Sequence, residues 1–134
     1  MSTNNWMDFS LDDLDGGEIL FREGKFNMAC FHAQQAAEKA LKGFLIDNKI
    51  SSPRTHNLVE LINLCSKING SFSGFMAKMA TLSQFYAPTR YPDAVVGMTP
   101  GGMPNKELAR KALDYAHDVV MFCKAEMKGG NSNA

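Results

Sequence analysis

Residues Phe31–Ile46 read FHAQQAAEKALKGFLI, and this stretch decides the fold. Ala, Leu, Gln, Glu and Lys dominate it, residues that lose little side-chain freedom in a helix. At about 100° per residue the stretch divides into two faces. Ala29, Ala33, Ala36, Ala37, Ala40, Leu41, Phe44 and Leu45 share a wide apolar arc, and most of them are alanine, so neighbouring helices can approach closely. His32, Gln35, Glu38, Lys39 and Lys42 share the rest. Taken alone, that polar arc reads as a solvated helix face carrying a Glu38–Lys42 pair at i, i+4.

Working toward the N-terminus, Met7, Leu11, Leu14 and Phe21 recur at helical spacing and predict a helix over Met7–Gly24. Gly16 and Gly17 lie inside it, marking either a close helix crossing or a break, and Ser10 with Asp13 offers an alternative start. The tight turn at Gly24 and Lys25 makes this helix and the central one an antiparallel hairpin. Toward the C-terminus, Thr55 or Asn57 caps a third helix with the stripe Leu58, Leu61, Ile62, Cys65 and Ile68, stopped at Asn69 and Gly70. A fourth follows Ser71 or Ser73, with Phe72, Phe75, Met76, Met79, Leu82 and Tyr86 inward. Ala87–Pro104 holds most of the prolines and reads as a long irregular loop. Asn105 caps a last helix, whose core side is Leu108, Ala112, Tyr115, Val119, Phe122, Cys123 and Met127. The expectation is an all-α, up-and-down helical bundle of about five helices, one domain over residues 1–128 with a flexible tail over 129–134.

Composition narrows the function classes. The 134 residues carry 14 basic and 14 acidic side chains, so no overall field draws the chain to nucleic acid or to an anionic membrane, and any such contact must be local. Cys30, Cys65 and Cys123 have neither metal-ligand nor pairing spacing and sit in apolar-periodic segments, as buried thiols of a reducing compartment do. The N-terminus lacks a signal-peptide pattern, and no apolar run approaches a membrane span, so a cytoplasmic protein is expected. No phosphate loop, zinc spacing, di-iron Glu-x-x-His pair or nucleophile elbow occurs; neither metal nor cofactor is expected. Chemistry would fall to Arg, His, Tyr, Lys and carboxylates. Arg90-Tyr91-Pro92-Asp93 in the long loop offers a guanidinium fork for phosphate, a ring for stacking and a carboxylate to orient the arginine; the alternative is a loop anchor. His32 is a candidate base or phosphate donor, His56 reads as a helix-start residue, and Arg110 with His117 as an exposed ion-pair ladder.

FHAQQAAEKALKGFL, then THNLVEL, then YAPTRYPD, in that order, resemble the HEPN family of small helical proteins. The resemblance runs from about Asp13 to Met127. It implies a helical bundle that pairs as a homodimer, binds nucleotide or RNA near the dimer axis, and commonly partners a minimal nucleotidyltransferase in toxin–antitoxin pairs. Glu38 and Lys42 match the family's Glu-x-x-x-Lys feature, and Arg90 occupies the arginine position of its metal-independent ribonuclease branch. That branch carries a histidine shortly after the arginine; here Tyr91–Gly97 reads YPDAVVG, with none. His32 is the one stand-in. The site expected from the resemblance is therefore His32, Gln35, Glu38, Lys39 and Lys42 with Arg90, Tyr91 and Asp93, binding nucleotide, RNA or the nucleotidyltransferase. The rival readings are a ribonuclease toxin and a structural dimer without ligand.

Overall fold

A computed structural model of the chain describes residues 5–51, 53–86 and 103–127. Five α-helices occur among them, with no strand: α1 Trp6–Arg22, α2 Phe26–Asp47, α3 Leu58–Ile68, α4 Met76–Ser83 and α5 Lys106–Glu126. A 3-10 segment, Gly70–Phe75, joins α3 to α4.

The alanine arc behaves as its composition dictates. Ala29, Ala33, Ala36, Ala37 and Ala40 are wholly buried, and α2 packs against α1, α3, α4 and α5. Small side chains let neighbouring axes sit near the short end of the ~8–10 Å range for packed helices. The α1–α2 turn is closed by a Schellman motif, in which Gly24 N–H donates to Phe21 O and Lys25 N–H to Leu20 O, with Gly24 at φ 78°. Gly17 supplies the close crossing: a Cβ there would stand 2.8 Å from Leu113 Cδ2 and 3.5 Å from both the Ala29 carbonyl and His32 Cβ. Neither glycine breaks the helix. Nor does α1 begin at Ser10, which lies buried inside it and donates its hydroxyl to the Ala36 carbonyl at 2.6 Å. A local capping signal gave way to a tertiary hydrogen bond.

Asn57, not Thr55, caps α3, accepting from Val59 and Glu60 N–H, and Asn105 caps α5, accepting from Leu108 N–H. The fourth helix is shorter than its stripe implied. Its first turns are the 3-10 segment, and Phe85 and Tyr86 lie beyond its end, Phe85 fully buried. On α5 the buried arc also takes in Ala109, Leu113, Ala116 and Val120, because this helix packs against α1, α2 and α4 together.

The connection between α2 and α3 positions the site. Ile50 N–H donates to Leu45 O near the end of α2, yet His56 lies beside Gln34 and Glu38 in its middle. Residues 53–57 therefore lie back along α2. Further on, Cys65 meets Leu41, and Phe72 meets Phe44 with ring centroids 4.6 Å apart.

Candidate functional site

The polar arc of α2 is not a solvated face. Glu38 and Lys42 are each only 6% exposed, and the Glu38–Lys42 pair expected at a surface is buried, with Nζ 3.0 Å from Oε2. Flanking α1 on one side and the returning 53–57 segment on the other cover the arc and convert it into two clusters, each built on one carboxylate.

In the first cluster, Asp13 of α1 accepts from His32 Nδ1 at 2.9 Å and from Lys39 Nζ at 2.5 Å. Antiparallel register with α2 brings it there. In the second, Glu38 Oε2 accepts from Lys42 Nζ at 3.0 Å and from His56 Nδ1 at 2.9 Å, and Oε1 accepts from Gln34 Nε2 at 3.0 Å. Gln34 Nε2 also reaches the His56 carbonyl at 3.3 Å, and Gln35 Nε2 donates to Gln34 Oε1 at 2.7 Å. The His56 ring stacks on Tyr86, centroids 4.0 Å apart and planes 13° apart. Lys39 and Lys42, three residues apart, are neighbours on one helix face, so the two clusters adjoin.

This arrangement has two chemical consequences. Each ammonium has three N–H donors and spends one on its carboxylate; those left on the partly exposed Lys39 can meet an anion, whereas Lys42 is buried. Each imidazole gives Nδ1–H to a carboxylate, so in the neutral ring Nε2 is the basic nitrogen. Asp13 and Glu38 balance the ammoniums of Lys39 and Lys42, so the lysines alone do not make this surface strongly cationic. Arg54, on the returning segment, is exposed and carries no ion pair among the described residues.

His32, Gln35, Glu38, Lys39 and Lys42 are thus brought together on α2. Arg90, Tyr91 and Asp93 lie outside the described residues, as does the tail over 129–134. Sequence reasoning missed Asp13, Gln34, Arg54, His56 and Tyr86. The hairpin turn at Gly24 carried a signal for Asp13, since counting outward from it aligns α1 with α2. His56 had no local signal, because its position depends on the backward run of 53–57.

A second feature lies elsewhere, a groove of about 740 Å³ between α1 and α5 lined by Phe21, Lys106, Glu107, Arg110, Lys111, Asp114 and Tyr115. Its arginine is already committed. Arg110 makes two hydrogen bonds to the Glu18 carboxylate, a third to Asp114, and lies 4.7 Å from the Phe21 ring centre. Arg110 is therefore both a rung of an exposed ion pair with Asp114 on α5 and a strap from α5 to Glu18 of α1. The hydrogen bond and charge of Arg110 hold the Glu18 carboxyl below its ordinary value, against the opposing effect of burial. Convergent polar groups favour the α2 clusters as the functional site. All three cysteines are buried, and burial pushes the Cys30 and Cys65 thiols up to about 12. Among the described residues no group of His, Cys, Asp and Glu could hold a metal ion, and no helix is long and apolar enough to cross a membrane.

The HEPN domain model matches residues 3–126, so the chain belongs to the HEPN family. Its fold is similar to the crystal structure of TT1696 from Thermus thermophilus, with a TM-score of 0.80 and 27% identity over 92% of this chain and 98% of that one. It is also similar to ST0689, an archaeal HEPN homologue, with a TM-score of 0.74 and 26% identity over 92% of this chain and 96% of that one. No curated protein matches.

Proposed function

We propose that this HEPN protein binds a nucleotide or single-stranded RNA along the polar face of α2. Phosphate oxygens would meet the free N–H donors of Lys39, whose side chain is 27% exposed, while the buried Lys42 holds Glu38 behind it. The observation that carries this reading is the pair of carboxylate-held clusters, which fix two ammoniums and two imidazoles along one face of α2, with donors to spare on Lys39. Arg90 and Tyr91 join the same site in this reading. Arg90 is four residues beyond Tyr86, a tether of at most about 14 Å, and Tyr86 is stacked on the second cluster. Asp93 would orient Arg90. A homodimer is part of the proposal, supported by Phe9, Ile19 and Met28, large apolar side chains exposed on the α1–α2 hairpin. So is a minimal nucleotidyltransferase partner, which rests on family membership alone.

The test is equilibrium binding of single-stranded RNA and of mononucleotides across a salt series. True phosphate contacts lower log K in proportion to log salt, by about 0.7 per contact on a single strand. Lys39→Ala should weaken binding and flatten that slope by about one contact's worth. Absence of binding at low salt, or a slope indifferent to Lys39, would count against the reading and leave a structural dimer.

One observation favours a second reading, the metal-independent ribonuclease. A carboxylate on Nδ1 leaves Nε2 of His32 and of His56 to take a proton from a ribose 2′-hydroxyl, the orientation a general base needs. Cleavage of single-stranded RNA in chelator, giving 2′,3′-cyclic phosphate ends and lost in His56→Ala or His32→Ala, would establish it. Intact RNA under those conditions returns the chain to a binding role.

A further inference from the structure

The His56 ring is more fully fixed than a loop residue needs to be. Tyr86 covers one of its faces at 4.0 Å, Glu38 holds Nδ1, and Gln34 holds the His56 carbonyl. Yet the side chain remains 47% exposed. Tyr86 takes one face and Glu38 takes Nδ1, which leaves the opposite face and the Nε2 edge without a ring or hydrogen-bond partner among the described residues. Two residues earlier, within about 7 Å along the backbone, the exposed Arg54 carries no counter-ion among the described residues.

We propose that the outer face of His56 is a stacking platform for a nucleobase of single-stranded RNA, which extends the Tyr86–His56 stack by one ring, and that Arg54 holds the adjoining phosphate. The proposal deepens the nucleic-acid reading above and rests on it. An aromatic ring held in place before the ligand arrives loses little freedom on stacking, and every base presents a π-face. A base inside a duplex cannot reach such a platform without unstacking, which selects single strands. The balanced charge of the chain, 14 basic against 14 acidic side chains, fits the same choice, because duplex binding leans on many phosphate contacts.

The experiment compares the wild-type chain with His56→Ala, His56→Phe and Arg54→Ala, each checked by thermal melting. The probes are oligoadenylate, oligouridylate, and an oligoadenylate carrying 2-aminopurine. Stacking predicts that His56→Ala loses about five- to a hundredfold in affinity without altering the salt slope. His56→Phe should stay within about threefold of wild type, because a phenyl ring keeps the face. Arg54→Ala should flatten the slope by about 0.7. The 2-aminopurine fluorescence should be quenched by wild type and His56→Phe and not by His56→Ala. If RNA binds but His56→Ala is unchanged, or if His56→Phe is as weak as His56→Ala, the platform is wrong while the binding reading survives. If the wild-type chain binds none of the probes at low salt, both fall.

Discussion

Glu38 is a buried carboxylate whose partners come from three parts of the chain: Lys42 one turn along α2, Gln34 one turn back, and His56 from the returning segment. A buried charge is tolerated only when such partners compensate it, and removing one member leaves the other exposed to the full desolvation cost. Glu38→Ala strands the Lys42 ammonium, itself only 6% exposed. The expected loss is about 3–5 kcal/mol in denaturant unfolding. Truncating Lys39, whose side chain is 27% exposed and whose charge water can solvate, should cost about 1 kcal/mol or less in the same assay. From sequence the two lysines were indistinguishable, both placed on one polar arc. What separates them is the environment beyond α2, a matter of tertiary packing that helical periodicity does not encode.

At the scale of elements, α1 carries two adjacent glycines with opposite roles. A Cβ at Gly16 would meet nothing within 4 Å, whereas one at Gly17 would stand 2.8 Å from Leu113 Cδ2, in the fully buried junction of α1, α2 and α5. Gly16→Ala should therefore stabilise the protein by about 0.5–1 kcal/mol through helix propensity alone. Gly17→Ala gains the same propensity but must displace a packed leucine, and overpacking costs about 1–3 kcal/mol, so net destabilisation is expected. Opposite shifts in melting temperature for the two variants would check the assignment. The sequence offered both glycines as one ambiguous pair. Which of them faces the crossing follows from the register of the hairpin, and Ser10 shows the same limit, since its cap-like position turned out to be a buried donor to Ala36. The end of α2 is another case: Lys49 takes the left-handed position usually filled by glycine, at φ 66°, so that Ile50 can close the helix onto Leu45.

At the scale of the whole molecule, the Arg110–Glu18 strap ties the first helix to the last. The Glu18 carboxyl is held below its ordinary value of 4.5 in the fold. As pH falls, the unfolded chain takes up the proton first, so the pair's contribution is complete above the ordinary range and is lost as pH falls through the lowered value. Glu18→Gln should cost under about 1 kcal/mol at neutral pH, since the pair is partly solvated. In melts from pH 7 to pH 3 the gap between variant and wild type should close at the acid end. Helix number, the alanine-lined centre and two of the caps were legible from periodicity, because each is a local property of the chain. Half of the candidate site was legible too, the half on α2. The partners Asp13 and His56 were not, because each is supplied by a different helix or connection and meets α2 only once the chain has doubled back.

That doubling back has a consequence for motion. Among the described residues, the ties that hold His56 to α2 are side-chain bonds with Gln34 and Glu38. Amide exchange around His56 should proceed through a local opening, cheaper than global unfolding, and Glu38→Gln should accelerate it while leaving the amides of α2 and α5 slow. A molecule occupying the polar face would do the reverse, slowing exchange across 54–57 and so reporting its own arrival in deuterium uptake.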